Sequence, residues 1–264
     1  MHSIPAAHRR LFAASTLLFA ASVAATLATG ASMSGMQAMP MPGGWSMSMA
    51  WMRMPGQGWA GFAASFLGMW LVMMVAMMLP SLLPMLRRYR DALGGGMGAA
   101  RSDRLTALVG AAYFVVWTAC GVAALALGIV ATTLAMRSPA AARCVPLAIG
   151  AVVTIAGVLQ FSRWKAHHLA CCRTASACAC TLAADARGAW RHGLRLGMHC
   201  CHCCAGTTAV LLVVGVMDLR AMALVTAAIT AERLAPSGER IARAIGVVLV
   251  ATGACLLAKA IGLA

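Results

Sequence analysis

The sequence predicts an all-α fold, a polytopic transmembrane helical bundle of about six to seven spans with one short or broken helix pair. Three observations carry this. Of 264 residues, 62% are hydrophobic and 10% are charged, with a mean hydropathy of +0.84, a composition foreign to water-soluble domains. The apolar residues gather into stretches long enough to cross about 30 Å of hydrocarbon. Lys and Arg gather at alternate ends of those stretches.

Taken in order, residues 1–30 read as an N-terminal transmembrane anchor, because Leu11 to Thr29 is continuously apolar behind Arg9 and Arg10. The same basic start, with small residues at Ala28 to Ala31, also fits a signal peptide; the hydrophobic length favours a retained span. Residues 31–58 form an outer loop rich in Gly, Pro and Met, with Met33, Met36, Met39, Met41, Met47, Met49, Met52 and Met54. Thioethers are soft ligands that survive on an oxidising surface without pairing into disulfides, so the loop could collect Cu(I); a flexible linker is the plainer alternative. Residues 59–264 form the helical membrane domain. Its spans are Trp59 to Met85, Leu105 to Met136, Cys144 to Phe161 and Ile241 to Leu263. A further apolar region, Cys204 to Thr230, is interrupted by Asp218-Leu219-Arg220 and reads as two short helices or a re-entrant pair. Within this domain, residues 162–204 form a Cys/His-rich cytoplasmic segment.

The net charge of +15 could suggest a nucleic-acid partner, but its distribution argues against one. With the N-terminus in the cytoplasm, sixteen Lys and Arg fall inside and only Arg53, Arg137, Arg143, Arg220 and Lys259 outside. This segregation also requires the chain to turn back at Asp218, since otherwise Arg233, Arg240 and Arg243 would lie outside. The expected location is the cytoplasmic (inner) membrane of a bacterium, with the lipid bilayer as the first partner.

The sharpest chemical signal is His199-Cys200-Cys201-His202-Cys203-Cys204, in a chain with eight of its eleven cysteines between Cys171 and Cys204. Thiolates and imidazoles this close read as a metal site. On a helix at about 100° per residue, His199, Cys203, Cys200 and Cys204 fall within one arc of about 140°. Upstream, His167/Cys171 and His168/Cys172 are each four apart, so a short interfacial helix presents each pair on one face. Cys178 and Cys180 lie beyond. Cytoplasmic thiols stay reduced, which makes metal or thiol exchange a better reading than disulfide stapling. In the second span, Met69, Met73 and Met77 recur at four-residue steps with Met74 and Met78 beside them: a ladder of weak ligands, or adaptable packing between helices. Pro80 and Pro84 predict a kink there. The candidate metal ligands are thus His199, Cys200, Cys201, His202, Cys203, Cys204, His168, Cys172, Cys171, His167, Met73 and Met77. Excess ligands, adjacent cysteines and outer methionines favour the transition metal Cu(I), with zinc as the alternative and iron–sulfur or pure thiol redox behind it.

From about Trp70 to Gly246 the chain resembles the predicted metal-binding integral membrane proteins grouped as domain of unknown function 2182. The resemblance lies in Trp70-x-x-Met73-x-x-Ala76-Met77-Met78-x-Pro80-Ser81-x-x-Pro84-Met85, in Trp117 with Gly121, and in Lys165 with Cys172-Arg173. It continues through Gly197-x-x-Cys200-x-x-Cys203-Cys204, Gly215-Val216-Met217-Asp218-Leu219, Met222-Ala223, and Glu232 with Pro236 and Gly238. His168, Leu196 and His202 stand where that family commonly has Cys, His and Gly. The resemblance implies metal binding at a membrane.

The leading function is therefore binding of a thiophilic metal, most simply Cu(I), for transport, buffering or delivery, with a metallochaperone or membrane protein as possible partner. A membrane thiol-redox protein and a zinc-stabilised structural or sensor subunit are the alternatives. No phosphate-binding G-x-x-x-x-G-K-[ST] loop is present, and nothing in the sequence identifies an enzyme.

Overall fold

The computed structural model describes residues 6–34, 39–48, 51–53, 56–94, 98–173, 185–216 and 218–262. Eight helices follow in order: α1 (Ala6–Ser34), α2 (Trp59–Ala92), α3 (Ala99–Arg137), α4 (Pro139–Leu159), α5 (Arg163–Arg173), α6 (Ala186–Val214), α7 (Leu219–Leu234) and α8 (Gly238–Ala260). All except α5 and α7 are long and apolar enough to cross a membrane. Their outward faces carry Leu17, Leu127 and Val248, more than 60% exposed, as a surface facing lipid would. The fold is the all-α bundle expected.

Pro80 and Pro84 are both accommodated within the single continuous helix α2. The predicted broken pair is α6 and α7, and it is unequal. At about 1.5 Å per residue α6 is roughly 43 Å long and α7 roughly 24 Å, so only α7 is short of a full span. The Cys/His run thus lies in the middle of α6 instead of at the head of an apolar segment. Between the two helices Gly215 adopts φ 149°, and the Asp218 carboxylate caps α7 by accepting from the N–H groups of Arg220 and Ala221 at 2.8 and 3.0 Å. A charge that would be costly in hydrocarbon is here exposed and satisfies a helix start.

The longest shared interfaces are α4 with α8 and α3 with α6. Both depend on glycine. A Cβ on Gly157 would stand 2.7 Å from the backbone N of Val250, and one on Gly193 2.4 Å from the carbonyl oxygen of Val109. Such small residues let membrane helices approach closely without a hydrophobic driving force. The α3–α6 approach matters for function because it brings Tyr113 against Cys200.

The methionine-rich segment between α1 and α2 is partly ordered as a hairpin instead of a plain linker. Strands β1 (Met39–Met41) and β2 (Trp45–Met47) pair antiparallel around Gly43 and Gly44, both at positive φ. Buried Met47 packs on Ala135 and Ala142, and Trp45 donates its indole N–H to the Ala142 carbonyl at 2.8 Å. The hairpin thereby seats on the corner between α3 and α4. Met36, Met49 and Met54, the Met33 side chain, Cys178 and Cys180 lie outside the described residues.

Candidate metal centre

The centre forms where α2, α3, α5, α6 and α7 meet. Positions 200, 203 and 204 share one face of α6 and are all buried. Cys172, on the buried face of α5, lies next to Cys200 and Cys203. Cys203 is in turn beside Cys204, and the sulfurs of Cys200 and Cys204 stand 3.9 Å apart. Four cysteines from two helices thus make one sulfur cluster. Among the described residues no group of three or more His, Cys, Asp or Glu side chains is placed to hold a metal ion.

Cys200 is the most connected of the four. Tyr113 donates its hydroxyl to the Cys200 sulfur at 2.9 Å, Arg233 donates from its guanidinium at 3.1 Å, and the Met78 thioether lies 4.0 Å away. Arg233, 5% exposed, also donates to the Ser81 hydroxyl at 2.8 Å and to the Met85 sulfur at 3.4 Å. No carboxylate is among these partners: a permanently charged group is surrounded by sulfur and hydroxyl. The neighbouring Glu232 is used elsewhere. It accepts from Lys165 at 2.7 Å and from Gln160 at 3.1 Å, and Lys165 also donates to the Cys203 carbonyl at 2.6 Å. Arg173 closes the corner by donating to the Glu232 and Pro236 carbonyls, in space that a side chain on Gly238 would fill.

Lys165–Glu232 is neutral as a pair, so among the described residues Arg233 is the buried charge that faces the thiols with no carboxylate among its hydrogen-bond partners. Arg233, expected from the sequence among the basic charges of the cytoplasmic side, stands in the last turn of α7 with its guanidinium buried in the core. The adjacent Glu232 and the distant Lys165, Arg173, Pro236 and Gly238 were all visible as family-like positions, and they prove to be this one corner. Tyr113 gave no sequence signal at all.

A second group forms a rim beside the sulfur cluster. His168 shares a 3.1 Å Nδ1–Nδ1 contact with His199, stacks on His202 at 4.9 Å between ring centroids, and meets His167 edge-on at 5.3 Å. The Cys171 sulfur lies 3.8 Å from Nε2 of His167. His167 and His202 are exposed, so these imidazoles connect buried sulfur with the surface. Partial burial, then the proximity of His202, His199 and His167, holds His168 below the ordinary imidazole range. A neutral ring keeps a lone pair for a metal.

Not every expected ligand converges. Cys201 points away from the cluster to α3, where its sulfur stands 2.7 Å from that of Cys120, a residue the sequence reading passed over. This follows from its place about 60° beyond Cys204 on the helical wheel. His199 and His202 join the rim. Met77 is buried in the helical core, and Met73 is buried at the edge of a cavity between α1, α2 and α7.

Neither a curated protein nor a solved structure matches the chain. Residues 67–256, most of the chain, running from the third turn of α2 into the last turns of α8, match the model of the PpoB2 family, which is described as copper chaperone. With its buried thiols, neighbouring thioethers and imidazole rim, this chain belongs to that copper chaperone family.

Proposed function

We propose that the protein holds Cu(I) as cargo on the cluster of Cys172, Cys200, Cys203 and Cys204 and exchanges it with a partner through the histidine rim, in the inner membrane of a bacterium. The observation that carries this is the Arg233 contact to Cys200. One Cu(I) on two thiolates is a single net negative charge, and the buried guanidinium supplies the matching positive charge. Zinc on four thiolates would leave an excess negative charge in the same core.

Ligand softness supports the same metal, since thiolate with thioether neighbours at Met78 and Met85 suits Cu(I). Sulfur spacing fits as well. With metal–sulfur bonds of about 2.3 Å, two thiolates on one ion stand roughly 3.8 Å apart at a tetrahedral angle and roughly 4.6 Å apart when opposed. The 3.9 Å between Cys200 and Cys204 lies in that interval. Tyr113 orients the Cys200 sulfur and Lys165 anchors the backbone beneath Cys203. His168, His199 and His202 offer nitrogen ligands where a partner's thiol could displace them stepwise.

The Cys120–Cys201 contact supports a second reading, thiol redox chemistry alongside metal exchange. One experiment separates the two. Converting Cys200 and Cys203 to Ser leaves harder, scarcely deprotonated ligands and should abolish tight Cu(I) binding by the purified protein while its helical content persists. Unchanged stoichiometry and affinity in that variant would overturn the Cu(I) reading.

A further inference from the structure

A cavity of about 260 Å³ opens between α1, α2 and α7, lined by Thr26, Thr29, Ser65, Met69, Met73 and Met222 among others. It lies where the C-terminal half of α1 meets the N-terminal parts of α2 and α7, and none of the clustered cysteines lines it. Three thioethers from two helices face it, and none of its lining residues is His, Cys, Asp or Glu. Thr26 and Thr29 donate their hydroxyl protons to the Ser22 and Ala25 carbonyls, both at 2.8 Å, so their oxygens remain acceptors.

We infer that this cavity is a second, thioether-based site for monovalent soft metal, Cu(I) or Ag(I), separate from the thiol cluster. Three neutral sulfurs suit a soft monovalent cation, whereas zinc and the hard divalent ions call for imidazole, thiolate or carboxylate donors that the lining lacks. With no anionic ligand, the site binds more weakly than the thiolates and releases its ion readily. The ligand type then continues along α2. Met73 and Met77 stand about 6 Å apart along the helix axis, Met78 follows, and its sulfur lies 4.0 Å from Cys200. Thioethers therefore line the interior from the cavity to the thiols, and the cavity is the loading end of that route. The route rests on the function proposed above; binding in the cavity does not.

The test uses the full chain in detergent, titrated with Ag(I) and, under a reductant, with Cu(I). Met69→Leu combined with Met222→Leu keeps the apolar volume and removes two thioethers. The double variant should bind one equivalent fewer in the weak class and keep the tight class. Cys200→Ser with Cys203→Ser should do the reverse. Met69→Leu alone, at a half-buried position, guards against misfolding and should weaken the same class by about tenfold, roughly 1.4 kcal/mol. In selenomethionine-labelled protein lacking Cys200 and Cys203, a metal–selenium signal in X-ray absorption should fall when Met69 and Met222 are replaced. A weak class and a metal–selenium signal both untouched by the methionine substitutions would overturn the inference. Loss of the weak class in the methionine variant, with both classes kept in the cysteine variant, would leave the cavity site standing and sink the thiol site.

Discussion

Arg233→Met removes the buried guanidinium while keeping a long apolar side chain beside Ser81 and Met85. In the copper-free protein the thiols carry no obligatory charge, so losing a buried cation with few good partners should leave stability unchanged or raise it. With Cu(I) bound, the anionic metal–thiolate unit loses its countercharge. At the observed 3.1 Å, and with an effective dielectric of about 20, two unit charges attract by roughly 5 kcal/mol. Relaxation and water entry reduce this, so a loss of about 3–5 kcal/mol is expected, two to nearly four orders of magnitude in affinity. Arg233→Lys keeps the charge without the planar fork and should fall between the two. Competition against a chromophoric Cu(I) chelator measures the affinity, and thermal unfolding of the metal-free protein reports the fold. If Arg233→Met folds normally and binds Cu(I) as tightly as the parent, the charge-balance reasoning fails.

Two other outcomes follow from the capped turn and the charge pattern. Asp218→Asn keeps an acceptor for the Arg220 and Ala221 N–H groups and should be nearly neutral, whereas Asp218→Ala should cost about 1 kcal/mol in unfolding stability; neither should change Cu(I) stoichiometry, and lost metal binding in a folded Asp218→Asn protein would place the carboxylate on an ion path. If the segregation of Lys and Arg sets the orientation, an impermeant maleimide should modify the segment around Cys178 and Cys180 in inverted vesicles; modification in intact cells would reverse the topology.

Hydrophobic length and the alternation of basic ends were enough to predict the helical bundle and the turn at Asp218, because both are local properties of the chain read against a 30 Å apolar slab. Helical periodicity likewise placed Cys200, Cys203 and Cys204 on one face, since positions three and four apart share a face whatever they pack against. What that face meets was not legible. Cys172 joins Cys200 across two helices, Cys201 turns to Cys120 on α3 where Gly193 and Gly197 let α3 and α6 approach closely, and Arg233 enters the core; each depends on how separate helices are rotated and packed. The methionines divide in the same way. Their spacing along α2 was visible in sequence, but that Met69 and Met73 share a cavity with Met222 was decided only when α7 folded back against α2, a long-range contact on which residue periodicity carries no information.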